Sequence, residues 1–209
     1  MDEVIIVSKT KMKDNHVCIG GVTKDGLLVR LLDESGSNHL DTVDFKIGQV
    51  WNIEFDVREN IIPPHIEDVL VKSKIFKENN LILLWLIAKK VKIWRGNVND
   101  LFDGKLEWDI NRGTSKNFLK GYISSNNLSK NSVGFWISDT DLYLQSLYGK
   151  DKYTYSMNDN IYNIPYVGVT QPIQKIAKGT LIRVSLARWW SKDNQTEKRC
   201  YLQLSGFYI

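Results

Sequence analysis

Between Thr180 and Ile209 (TLIRVSLARWWSKDNQTEKRCYLQLSGFYI) the chain gathers arginines, two adjacent tryptophans and tyrosines at spacings that suit a β-hairpin. Side chains of a strand alternate between its two faces. Ile182, Val184 and Leu186 therefore share one face of the first strand, opposite Arg183, Ser185, Ala187 and Trp189. On the return strand Cys200, Leu202 and Leu204 lie opposite Arg199, Tyr201, Gln203 and Ser205. If the apolar sets form a core, the other face presents guanidinium, aromatic and amide groups, which pair with phosphates and stack on bases. The candidate contacts are Arg183, Arg188, Trp189, Arg199, Tyr201 and Gln203. A structural reading competes with this one. The tandem Trp189-Trp190 must turn at least one indole inward, and surface arginines often pair with carboxylates.

Two other groups of residues deserve the same weighing. Lys9 and Lys11, with Lys13 and Lys24 nearby, form a basic stretch that offers a second phosphate contact or simply a solvated loop. His39 and His65, with Asp33, Glu34, Glu67 and Asp68, have the residue types of a metal site or an acid–base hydrolase. They lie in separate loops, however, and nothing in the sequence brings them together. No phosphate-cradling GxxxxGK[ST] or GxGxxG occurs, and no GxSxG or HExxH. Cys18 and Cys200 stand far apart in strand-like surroundings, which favours two reduced thiols over a disulfide, and no CxxC or HxxxH spacing marks a zinc site. The expectation is a non-enzymatic protein with no cofactor and no metal.

The charge is modest but uneven. Residues 1–110 carry 15 Lys/Arg against 18 Asp/Glu, and residues 111–209 carry 13 against 6, for a net charge of +4. A basic second half points to an anionic partner there. The opening MDEVIIVSKTK is unlike a signal peptide, and the longest apolar run, Leu81 to Ala88, is too short to cross a membrane. The expected location is cytoplasmic.

The elements that must position these side chains are mostly strands. Val4–Ser8, His16–Val22, Leu27–Leu32, Gly48–Phe55 and Val69–Phe76 read as strands in the first half, with Asp25-Gly26 as a hairpin turn and Pro63-Pro64 as a break. Leu81, Leu84, Trp85 and Ala88 suit one face of a helix, the favoured reading, although the run ILLWLI also suits a buried strand. Asn99–Gly104 reads as a short helical turn closed by glycine. Phe118–Ser124, Ser132–Ser138, Leu142–Tyr148 and Lys152–Met157 are short strands, followed by a polar stretch, Asn158–Asn163, and the terminal hairpin. Many short strands and a single helix predict small barrels or a sandwich.

The segments KTKMKDNHVCIGGV, LLVRLLDESGSNH, IGQVW, PPHIEDVLV and VGVTQPIQKIAKGTLIRVSLARWW…RCYLQLSGFYI resemble a family of uncharacterised bacterial proteins described as carrying a dual OB-containing domain. The likeness covers nearly the whole chain. It implies a mostly β protein of two fused OB-like barrels with one helix packed between or across them, here divided as residues 1–110 and 111–209. By fold analogy it implies a nucleic-acid-binding module, for single-stranded or structured DNA or RNA, serving a bacterial defence or sensing system. The competing expectation is a protein–protein adaptor that uses exposed aromatics of the second barrel.

Overall fold

Tight turns set the course of the first part of the chain. In the computed structural model, which describes residues 1–80, 82, 86, 89, 91–193 and 195–209, strand β1 (Asp2–Lys11) turns into β2 (His16–Thr23) through Asp14 and Asn15. Both turn residues adopt positive φ (55° and 56°), the left-handed region that Asn and Asp tolerate best. Gly26, at φ 88°, makes the next turn into β3 (Leu28–Leu32), as the Asp-Gly pair predicts. After the short β4 (His39–Leu40), the chain forms β5 (Gln49–Val57) and β6 (Asp68–Asn79).

These strands close on themselves. β1 pairs antiparallel with β2 and β5, β2 with β3, and β5 with β6, while β3 and β6 run parallel. The ring is β1–β2–β3–β6–β5–β1, with β4 attached to β2. Numbered in chain order, the five long strands follow 1-2-3-5-4-1, the connectivity of an OB barrel. Each of them supplies a core pair two residues apart: Val4/Ile6, Val17/Ile19, Val29/Leu31, Trp51/Ile53 and Val69/Val71, with Phe45 packed among them. That spacing follows directly from the two-residue period of a strand.

The second group of strands is β7 (Ile93–Gly96), β8 (Glu107–Arg112), β9 (Asn117–Ser124), β10 (Val133–Ser138), β11 (Leu142–Leu147), β12 (Lys150–Met157), β13 (Asn160–Pro165), β14 (Lys175–Ile176), β15 (Leu181–Leu186) and β16 (Arg199–Tyr208). Their order is β14–β11–β12–β13–β9–β16–β15–β10–β7, with β8 on β9. The sheet curls, because Ile176 and Leu142 from one end share a core with Ile182, Val184 and Trp136 from the other. The fold is mostly β with two OB-like barrels, as expected.

The compact units are Met1–Lys92 with Tyr208, and Ile93–Phe207 with Ile209. The boundary read from the sequence, between residues 110 and 111, falls later, since the short turn Val98–Gly104 and β8 belong to the second unit. Asn158–Asn163, read as a polar stretch, is largely strand β13. Tyr162 and Ile164 enter the core there, and Asn163 between them points the other way. The helix expected on Leu81, Leu84, Trp85 and Ala88 lies outside the described residues. Among the described residues no helix is long and apolar enough to cross a membrane.

One close approach fixes the β7–β10 edge. A Cβ on Gly134 would lie 2.2 Å from Cζ3 of Trp94, whose Nε1 donates to Asp103 at 2.9 Å. Gly134→Ala must displace that ring, and overpacking of this kind costs ~1–3 kcal/mol. Urea denaturation is expected to show the loss, and a midpoint unchanged from the parent would count against the packing described.

Candidate functional site

Strand β9 organises the chemistry of the second unit. One of its edges pairs with β8 from residue 117 to 122. The other edge is divided: residues 117–119 pair with β13, and residues 122–124 with β16. Where β13 and β16 part, a cleft of about 310 Å³ opens, lined by Asp109, Lys120, Gly121, Asn163, Pro165, Trp190, Tyr201 and Leu202. It is continuous with a second hollow of about 370 Å³ that shares Asp109, Lys120 and Asn163 and extends to Phe118 and Lys152. Alternation explains the gathering. Leu119, Ile123, Tyr162, Ile164, Cys200 and Leu202 point into the core, so Lys120, Tyr122, Asn163, Arg199 and Tyr201 point out.

Arg199 and Asp109 form the fixed centre of this face. Arg199 Nη1 donates to Asp109 Oδ1 at 2.5 Å, and the Tyr201 hydroxyl donates to Asp109 Oδ2 at 3.1 Å. The Arg199 guanidinium lies 4.0 Å above the Tyr122 ring, and its Nε is 3.6 Å from Glu197. Burial works against its charge, but the bonds to Tyr201 and Asp109 outweigh burial and raise its pKa. Burial likewise raises the Tyr122 and Tyr201 hydroxyls, so both stay neutral donors. Glu107 accepts from Ser124 Oγ at 2.5 Å.

The tandem tryptophans divide their roles. Trp189 packs against the core, whereas Trp190 is 56% exposed, with its ring 6.2 Å from that of Tyr201. The backbone of Trp190 exchanges hydrogen bonds with that of Arg199 at 3.0 and 2.9 Å, which holds the indole at the cleft rim. Asn163 is 7% exposed, and its Oδ1 has no hydrogen-bond partner among the described residues.

Of the residues chosen from the sequence, Arg199 and Tyr201 meet at this site, and Gln203 follows them, half-buried, on the same strand. Arg188 is exposed just before the tryptophans. Trp189 faces inward, so Trp190 is the surface indole. Arg183 requires a correction. All six residues of β15 are buried, so side chains of both parities, Arg183 included, are covered. The Arg183 guanidinium donates to Ser205 Oγ at 3.0 Å and offers no surface to a phosphate. Lys9 and Lys11 belong to the first unit. Lys9 Nζ donates to the carbonyls of Asp41 and Val43, at 2.9 and 3.1 Å, and so anchors a loop, while Lys11 is exposed. Sequence reasoning missed Asp109, Lys120, Tyr122 and Asn163. The alternation in EWDINR and NFLKGYIS was the available signal.

The two histidines have different surroundings. His65 is buried and its Nδ1 accepts from Arg30 Nη2 at 3.4 Å; Arg30 also pairs with Asp68 at 3.2 Å. His39, on β4, meets Phe45 edge-on at 5.6 Å. Among the described residues no three His, Cys, Asp or Glu side chains cluster as a metal would need.

The first unit is a barrel with OB connectivity, and the second is a curled sheet whose outer face carries aromatic and basic groups. The chain belongs to the family described as the dual OB-containing domain, whose model matches residues 2–207. No curated protein and no solved structure matches it.

Two measurements test these local arrangements. Burial lowers the pKa of His39, against the pull of Asp33 and Asp44 and with the help of Lys74 and Lys9. Below the unfolded value of about 6.5 the unfolded chain then binds more protons than the fold, so stability falls as pH drops through that value. His39→Phe is expected to flatten the dependence of the urea midpoint between about pH 7 and pH 5.5, and an unaltered slope would refute it. A double-mutant cycle on Asp109→Ala and Arg199→Ala is expected to return a coupling of ~0.2–1 kcal/mol for this partly exposed pair. Additive losses would mean that the ion pair contributes nothing in solution.

Proposed function

We propose that the protein is a non-enzymatic module that binds single-stranded nucleic acid across the outer face of β8, β9, β13 and β16. The observation that carries this reading is the exposed Trp190 beside Tyr201, at the rim of a cleft that also holds Lys120. Single-strand binders combine such stacking platforms with cations that follow the backbone. Lys120 and Arg188 are exposed, and Lys152 lies in the adjoining hollow. Of the carboxylates on the same face, Asp109 opposes an anionic strand least, because it is paired with Arg199. OB-type barrels bind oligonucleotides widely, which supports the reading by analogy.

The first barrel supports it less. In β2 and β3, the pair that OB barrels commonly use for ligands, residues of both parities are buried. Most contacts therefore fall to the second unit. Within this proposal the module would serve a bacterial defence or sensing system, with a partner effector supplying the chemistry. The exposed Phe118, Tyr143 and Tyr148 favour a second reading, an adaptor that docks another protein.

Fluorescence anisotropy with labelled single-stranded DNA and RNA at two salt concentrations separates the two. Nucleic-acid binding weakens steeply with salt as counterions are released. Trp190→Ala is expected to weaken binding by ~1–3 kcal/mol, and Lys120→Ala to reduce the salt dependence. Absence of binding at low salt, with the variants folded, would overturn the proposal and favour the protein partner.

A further inference from the structure

The cleft between β13 and β16 sets two residues with acceptor oxygens, Asp109 and Asn163, beside the Lys120 ammonium. Asp109 is acceptor-only when ionised, and each of its oxygens receives a single bond, from Arg199 and from Tyr201. A carboxylate oxygen has two lone pairs, so each retains capacity for another donor. Asn163 adds a buried amide oxygen with no hydrogen-bond partner among the described residues. A buried acceptor left unpaired is unfavourable, and a ligand that brings a donor relieves it. The remaining surfaces are of another kind. Trp190 and Tyr201 form an aromatic wall, and Leu202 and Pro165 supply apolar contact. Lys120, opposite Asp109 in the β8–β9 register, stands exposed beside them.

At about 310 Å³ the cleft is at the small end of ligand pockets, a size for one flat ring system rather than for a folded ligand. A planar ring on Trp190, a donor-bearing edge toward Asp109 and Asn163, and an anionic group near Lys120 together describe a nucleotide. The edge chemistry then selects among the bases. Uracil and thymine present one N–H between two carbonyls, and those carbonyls would face the acceptor oxygens of the cleft. Adenine and cytosine present one amine beside an unprotonated ring nitrogen. Guanine alone presents a ring N–H and an exocyclic amine side by side.

We infer that this cleft is a guanine subsite, in which Trp190 stacks on the base and Asp109 and Asn163 accept from its N1–H and N2 amine. The inference rests on the nucleic-acid reading above and makes it base-selective. Lys120 takes the attached phosphate. Arg199 and Tyr201 act as positioning residues, because they hold the Asp109 carboxylate in place.

The test uses labelled dodecathymidylates that carry thymine, guanine or hypoxanthine at one central position, measured by anisotropy. Quenching of tryptophan fluorescence by guanosine and uridine monophosphates is measured beside it. Hypoxanthine keeps the N1–H but lacks the exocyclic amine. The guanine strand is expected to bind about tenfold more tightly than the all-thymine strand, with hypoxanthine between them. Asn163→Leu, which keeps the volume and removes the acceptor, should bring guanine down to thymine, while Trp190→Ala weakens all three strands alike. Equal affinities with a steep salt dependence would overturn the guanine subsite and leave the nucleic-acid reading standing. Quenching by the guanine nucleotide alone, with no strand bound at low salt, would keep the subsite and discard the polymer. Silence in both assays would discard both. The strand comparison needs only the unsubstituted protein, so failure of a variant to fold does not protect the proposal.

Discussion

A β-strand has two hydrogen-bonding edges, and β9 divides one of them between two partners. β13 takes residues 117–119 and β16 takes residues 122–124. β13 and β16 each leave that edge, and they meet again beyond it, where Tyr166 bridges to Leu204. The opening between them is a consequence of backbone pairing before any side chain is considered. β8 holds the opposite edge of β9 from residue 117 to 122, and so spans the point where the other edge changes partner. Asp109, Lys120, Asn163 and Tyr201 come from four different strands, and this branching is what places them around one hollow.

Electrostatics then decides what such a hollow can hold. A bare aspartate in a surface intended for an anionic polymer would repel it. Here the carboxylate lies 2.5 Å from a guanidinium that is itself seated over the Tyr122 ring. The pair is close to neutral at a distance and directional at short range. On the reading proposed above, such a site would attract by its lysines and discriminate by its oxygens, two tasks that fall on different residues.

The terminal hairpin could be read from the sequence because its strands alternate without interruption, and Arg199 and Tyr201 lie on the face that alternation assigns them. Alternation identifies which side chains share a face, but it does not say whether another layer covers that face. Arg183 shows the difference: its strand sits between two neighbours and its outer side is closed. Asn163 was invisible for another reason: β13 reaches this face through its parallel pairing with β9, a segment distant in sequence, and no local pattern encodes it. Of the tandem tryptophan, the sequence required only that at least one ring face inward, and its alternation placed Trp189 on the outer face. Trp189 instead packs against the core and Trp190 is exposed. Which was which depended on the bridge between Trp190 and Arg199.

The closure of the first barrel has a meaning beyond its topology. A ring has no terminal strand, so its five main strands leave no long ladder of unpaired amides and carbonyls for a second chain to copy. In the second unit the sheet order ends on β14, of two residues, and β7, of four. β8, which flanks it, carries Glu107, Asp109 and Arg112. Short or charged borders are poor templates for adding foreign strands. A chain so protected can leave Trp190, Phe118 and Tyr148 in water without inviting the growth of fibres. Its sticky surfaces are flat faces rather than strand ends, and faces can be made selective.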